Sequence, residues 1–450
     1  MLTQAVHDRL MFAMRSLAGD LRVLSSMSET MAKIISSIGF VFLFDHVRVN
    51  GVIMAKIVAS DGVVGDYFGF SASMDGDYAI IGAANADSYN GSAYIFMRSG
   101  VSWNQQAKLS ASDGAALDKF GFSVSISGDY ALIGAPYSNS NNGSAYVFMR
   151  SSTVWNQQTN LIASDGESDD KFGFSVSIDG VDALIGSRGD SSRQGSAYVF
   201  VLSGVSWDQQ AKLTASDGVS GDLFGQSASL SGDYALIGAI FADVGSNTNQ
   251  GAVYVFVRSG TAWDQQAKLT AAGGMAGDNF GQSVSIDGDY ALVGADGSDS
   301  DTGSANIFMR SSNVWNQQAN LTASDGAVED YFGIFVSLSG DYALIGASYD
   351  TIDGNIAQGS AYVFQRSGSD WDQYMKLNTS NGEPEDLFGV AVALDGLYAV
   401  VGAIGDDSNT GAAYTYQLDD TADEDDGDGS MMIGGVSILG LSLISLLMMW

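Results

Sequence analysis

The chain has 450 residues, enough for a large core, with 56 glycines, two prolines and only 16% charged residues, the makeup of tightly turned strands and not of disorder. Its formal charge is -33, and residues 51–418 hold 14 bases against 41 acids, a field that repels nucleic acid and anionic lipid surfaces and attracts cations or basic partners. The absence of cysteine excludes disulfides, thiolate catalysis and thiolate metal sites, and the two histidines, His7 and His46, lie ahead of the repeats that fill the rest of the chain.

Residues 1–50 contain an apolar run of 11 residues, Ile34 to Phe44, preceded by Lys33. Met31-Ala32-Lys33 followed by that run has the shape of a secretory signal starting at Met31, although no Ala-x-Ala cleavage site follows. A short buried segment is the alternative.

From residue 51 to 418 one unit is written seven times. Phe-Gly recurs at Phe68, Phe120, Phe172, Phe224, Phe280, Phe332 and Phe388, in steps of 52 or 56 residues. Within a unit, Ser123 to Ile126 alternates with period two and predicts a strand. Ser127-Gly128-Asp129 predicts a tight turn, and Tyr130 to Ala135 is a continuous apolar run suited to a strand covered on both faces. After a polar loop, Gly143 to Met149 predicts the third strand and Trp155 to Ala163 a polar fourth. Four antiparallel strands in seven copies predict an all-β, seven-bladed propeller. The last unit lacks its fourth strand, while Ala55 to Gly62 matches Ala107 to Gly114, so residues about 52–59 are expected to close the ring on the last blade. Only the loop between strands two and three varies in length: nine positions in five units, 13 in Gly238 to Gly251 and Gly346 to Gly359. Length changes confined to one loop mark a solvent face, often a binding face.

Residues 419–430 form an acidic linker with seven acids and no base. Residues 431–450, Met431 to Trp450, carry no charge and are long enough to cross a bilayer. No Lys or Arg follows, and small residues, a polar spacer and a terminal apolar run fit a lipid-anchor (GPI) signal, with a transmembrane tail as the alternative. Four acceptor sequons, at Asn90, Asn142, Asn320 and Asn378, agree with a secretory route.

The Phe-Gly pairs, each followed 14 residues later by Gly-Ala or Gly-Ser and then by runs such as Gly-Ser-Ala-Tyr-Val-Phe, resemble the FG-GAP repeat family, which includes the propellers of integrin alpha subunits. The resemblance covers residues 51–418 and implies a seven-bladed propeller used for extracellular recognition and adhesion. Integrin-type repeats often carry a calcium loop between strands one and two. Here that connection is only Asp75-Gly76-Asp77 or its equivalents, too short to wrap an ion that takes six to eight oxygens. Calcium sites are therefore not carried over, and the only cation role left open is bridging between acidic groups.

Candidate binding residues sit in the loops between strands two and three: Asp87, Asn90, Arg188, Asp190, Asp243, Asn247, Asp296, Asp299, Asp301, Asp350, Asp353, Asp406 and Asp407. Turn formation competes as an explanation, since Asp and Asn are common turn formers. Asp299-Ser300-Asp301-Thr302-Gly303 is the nearest fragment to a calcium loop but lacks a distal acid. Arg188-Gly189-Asp190 is a tripeptide that many integrins bind, expected to be exposed and attributed here to chance. The aspartate two residues before each Phe-Gly is expected to accept backbone N–H groups, and the tryptophans from Trp103 to Trp371 are expected to pack between blades. No nucleophile sits beside a base in the repeats, so the chain is not expected to be an enzyme. The resemblance, with the tail, implies a membrane-anchored cell-surface module that recognises a protein or glycan. A propeller acting on extracellular polysaccharide and a structural coat protein are the alternatives.

Overall fold

The computed structural model describes residues 52–379 and 381–418. The expected signal, the acidic linker and the apolar tail lie outside the described residues. Among those described, no helix is long and apolar enough to cross a membrane.

Seven four-stranded antiparallel sheets form a ring. The first blade is β2 (Phe68–Asp75), β3 (Tyr78–Ala83), β4 (Ser92–Ser99) and β5 (Ser102–Leu109), in that order from the axis outward. The seventh is β6 (Phe388–Asp395), β7 (Tyr398–Ala403) and β8 (Ala412–Gln417), completed by β1 (Val52–Ile57). β1 pairs antiparallel with β8, Ile57 opposite Ala413, with a bulge between Ile53 and Ala55. The ring is thus closed by its N-terminal strand, as expected. Lys56 adds ion pairs to Asp406 and Asp407, both at 2.9 Å.

The blades stack because their middle strands are apolar on both faces. In the first blade Ile81, Tyr94 and Phe96 face the seventh blade, while Ile80, Ala93 and Ile95 face the second. This is why those strands read as unbroken apolar runs. Each junction holds its own apolar cluster, and the Phe of each Phe-Gly is fully buried in it. Phe68 meets Tyr94 and Phe96 edge-on, with centroids 5.5 and 5.9 Å apart.

Near the axis the blades touch through backbone. A Cβ on Gly82 would collide with the carbonyl oxygen of Gly121, the Phe-Gly glycine of the next blade. The same crossing recurs at every junction, ending with Gly402 against Gly69. Ser71 Oγ donates to that Gly121 carbonyl at 2.9 Å, and Ser123, Ser175, Ser227 and Ser283 repeat the bond. Gly69 itself has φ +97 and sits in a bulge, where the pairing slips between Phe68 and Ser71. In the first, third, fourth and seventh blades the inner strand opens at the Phe with this slip, while in the second, fifth and sixth it runs regularly from Ser123, Val284 and Val336, the first as expected from sequence. The fourth strand of the second blade runs Val154–Leu161, not Trp155 to Ala163.

Two stability tests follow from this packing. Deleting residues 51–60 removes the closing strand with its buried Ile57 and Ala59, and a thermal melt is expected to fall by at least about 5 °C. An unchanged melting temperature contradicts the closure. Gly238→Ala forces a methyl into the Gly281 carbonyl and is expected to cost at least about 2 kcal/mol in a denaturant titration.

Candidate recognition face

Strand one starts where strand two ends, so the loops between strands two and three, the crossovers between blades and the Phe-Gly bulges share one face of the ring. Backbone bonds join these parts. Phe120 N–H donates to the carbonyl of Asn90, and Phe68 N–H to that of Thr410, so each crossover is tied to the loop of the preceding blade.

The backbone here is strained. In the five short loops a run of residues turns left-handed: Asp87 (φ 52, ψ 46) and Ser88 (φ 64, ψ 43) in the first blade, with Tyr89 also at φ 66. Asn139 to Asn141, Ser191 to Arg193, Asp299 to Asp301 and Asp407 to Asn409 repeat it. Each such residue costs about 1–2 kcal/mol against a right-handed conformation. The residue before every Phe-Gly is left-handed too, including Tyr67, Lys119, Lys171, Leu223 and Tyr331. The two long loops instead fold as small hairpins, Val244 bridging Asn247 and Ile352 bridging Asn355.

Several candidate residues turn inward. Asp190, Asp296, Asp350 and Asp406 are each under a tenth exposed. In the third blade Lys212 Nζ reaches both Asp165 (2.7 Å) and Asp190 (2.6 Å), and the Tyr198 hydroxyl donates to both. Lys376 bridges Asp325 and Asp350 in the same way, and Lys108 bridges Asp61 and Asp87. The Lys212 ammonium holds the Asp165 carboxyl below its ordinary range, and Lys108 does the same for Asp61. These aspartates pin a loop to the outer strand. Asp243 accepts the Asn249 N–H, and Asn247 binds Gln250 and the Gly274 carbonyl, so both shape their own loop. Asp299 and Asp353 are exposed, with Asp301 half-buried beside them. Among the described residues no group of three or more His, Cys, Asp or Glu could hold a metal ion.

The expected exposure of Arg188-Gly189-Asp190 is corrected. Asp190 is buried in the Lys212 network. Arg188 is half-buried, donates to Gln226 at 2.7 Å and lies flat on Phe174, 3.6 Å from the ring centre. The sequence rule that places polar loops at the surface misses a loop whose own hydrogen bonds fold it down. Of the sequon asparagines, Asn320 lies exposed on an outer strand, while Asn90 and Asn142 are half-buried with their carbonyl oxygens shut away from solvent. Asn378 is half-buried and the third residue of its sequon lies outside the described residues.

The crossover aspartates behave as read from sequence. Asp66, Asp118, Asp170, Asp222, Asp278, Asp330 and Asp386 each accept the N–H of the residue three positions earlier. The tryptophans do pack between blades: Trp155 Nε1 donates to Gln106 of the preceding blade at 2.9 Å, and its ring meets Tyr78 edge-on.

Sequence reasoning missed two hollows. The channel mouth, about 280 Å³, is lined by the residue that follows six of the seven Phe-Gly pairs: Phe70, Phe122, Phe174, Gln226, Gln282 and Ile334. The three phenylalanines stack side by side, with centroids 5.1 and 4.8 Å apart. The signal was legible, since this position holds Phe, Gln, Ile or Val while the Phe-Gly ahead of it never changes. The second hollow, about 770 Å³, lies between the third and fourth blades, where Lys171, Arg188 and Arg193 meet Leu223, Ile240 and Phe241.

Asp296 offers a pH test. Burial pushes its carboxyl up from 3.8 to about 6, against hydrogen bonds from Asn279 and from the backbone N–H groups of Asp296 and Gly297. Between those values the folded state keeps a proton that the unfolded state releases, so this group loses stability as pH rises through the window. Asp296→Asn is expected to stabilise the fold at pH 7 by roughly 1–3 kcal/mol, with no gain below about pH 4. Equal gains in denaturant titrations at both pH values contradict this.

A family model described as FG-GAP repeat matches residues 52–96, 103–148, 155–200, 207–256, 263–308, 315–364 and 371–416. Each match opens on an outermost strand and ends in the third strand of the next sheet, the offset that ring closure requires. No curated protein matches the chain.

Proposed function

Because the chain belongs to the FG-GAP repeat family, we propose that it is a recognition module that binds an extracellular glycan or protein through the loop and crossover face of its propeller. The observation that carries this reading is where variation falls. Most packing residues repeat from blade to blade, Asn306 in place of the strand-three tyrosine being an exception, while loop length and the residues around the channel mouth change on this face. Aromatic groups there are accessible: Tyr89 is 49% exposed and Tyr349 45%, with Phe335 beside the channel at 36%. Rings in reach of solvent, on a face that also carries the exposed carboxylates Asp299 and Asp353, suit the stacking and hydroxyl bonding of saccharides as well as a protein surface.

On this reading the protein works by binding and not by catalysis. It is displayed at a cell surface, with residues 431–450 serving as lipid-anchor signal or spanning tail. Saturable binding of the purified full chain on glycan and extracellular-protein arrays, run with and without calcium, is the expected outcome. Cleavage of a polysaccharide on the array, or no binding to any probe, counts against the proposal. Release from cells by a phosphatidylinositol-specific phospholipase separates the two kinds of anchor.

A further inference from the structure

Cations are scarce in this propeller, and nearly all are committed. Among the described residues, ten of the 14 Lys and Arg form an ion pair with a carboxylate. Most secure a loop or hairpin of their blade, as Arg150 does with Asp129 and Arg366 with Asp341. Lys119, Lys171, Arg188 and Arg193 show no such pair among the described residues. All four lie on the loop face of the first three blades, and three of them line one cleft.

That cleft is built for a ligand of particular chemistry. Its volume, about 770 Å³, is in the range of small-molecule sites. Arg188 is held rigidly by Phe174 and Gln226, which leaves the rest of its guanidinium fork free for an anion. Arg193 stands exposed on the left-handed turn at φ 68. Burial, then repulsion from Arg188, pushes the Lys171 ammonium below its ordinary range. Three cations that share one cleft without an ion pair among the described residues, in a protein with acids to spare, point to an anion that pairs with them. The remaining wall is mixed. Ser192 offers a hydroxyl, while those of Ser168 and Ser191 already donate to the Ser140 carbonyl and to Asp190. The rim carboxylates Glu167 and Asp169 offer acceptors, and Ile240 with Phe241 offers an apolar patch.

We propose that this cleft binds an acidic sugar unit of a glycan, its carboxylate or sulfate gripped by Arg188 and Arg193, its hydroxyls bonded to the rim and its C–H face against Phe241. The inference rests on the recognition reading and names its ligand class. An acidic peptide shares the anion but would leave the rim carboxylates facing its own charge, so the saccharide is favoured.

The test uses the full chain, titrated calorimetrically with hexuronates and hexose sulfates of gluco, galacto and manno configuration and with their neutral parents. At least one acidic sugar is expected to bind tenfold or more tightly than its neutral parent, and to weaken as salt rises. Arg193→Ser, at an exposed position, is expected to keep the melting temperature and to weaken that binding at least fivefold; Arg188→Gln is expected to weaken it further. Preference for uronate over sulfate, or the reverse, identifies the anion, and either supports the proposal. No preference for acidic sugars in any configuration overturns it, as does acidic-sugar binding that both substitutions leave unchanged. Neutral glycans bound elsewhere on the face would then leave the recognition reading standing alone. A glutamate-rich peptide that binds in the cleft while every saccharide fails also overturns it.

Discussion

Every junction in the ring depends on two glycines crossing where adjacent blades come closest to the axis. The strand-two glycine of one blade faces the Phe-Gly glycine of the next, as Gly82 faces Gly121 and Gly402 faces Gly69. A side chain at either place would hold the sheets apart, and the serine bond from Ser71 to the Gly121 carbonyl would be lost. Bringing the backbones together at the centre forces a wedge shape on the junction. The wedge is then filled from the inside outward: alanine first, then the buried Phe68 against Tyr94, and Trp155 against Tyr78 at the rim. The grading of residue size along each blade is therefore a consequence of one backbone contact.

Charge follows the same logic of assignment. The lysines of the outer strands clamp aspartates from a loop and a crossover, as Lys212 does with Asp165 and Asp190. The arginines of strand three grip the hairpin turn, and four of the five lie over a tyrosine of the preceding blade, as Arg150 does over Tyr78 at 4.0 Å, while Arg258 reaches Asp182 there instead. These are partly exposed pairs, and a single one contributes little, about 0–1 kcal/mol. Their value lies in repetition: the lysine clamps hold loops and crossovers on one face, and the arginine pairs hold the hairpin turns on the other.

The fold was legible in the sequence to an unusual depth because a propeller repeats its constraints. Period, strand order, the closing strand and the roles of the crossover aspartates all follow from spacings that recur seven times. The face was less legible, for a physical reason. Rules for loops treat Asp and Asn as exposed turn formers, and they cannot see that Asp190 or Asp350 has a lysine from a neighbouring strand waiting above it. The left-handed runs at Asp87 and Ser191 were equally hidden, because neither carries the glycine that normally announces such a backbone. Departures from the repeat were the better guide. The phenylalanines after three Phe-Gly pairs, and Arg188 where other blades place Ala84 or Pro136, mark the places where the pattern gives way to something specific.

The strain on this face bears on what it does. A loop made only to connect two strands over nine positions has no need of several consecutive left-handed residues, and glycine would relieve them wherever the side chain were idle. The chain instead keeps Tyr89, Arg193 and Lys171 in that conformation. Their side chains lie across the face: Lys171 over Tyr137 at 5.5 Å, and Lys119 over Tyr89 at 5.6 Å. A backbone held against its preference by Gly-Gly crossings below and by Asp–Lys clamps at its edge presents these groups in one fixed arrangement before any partner arrives. Pre-organisation of that kind lowers the entropy cost of binding, and it is what a rigid ring with a strained rim is suited to supply.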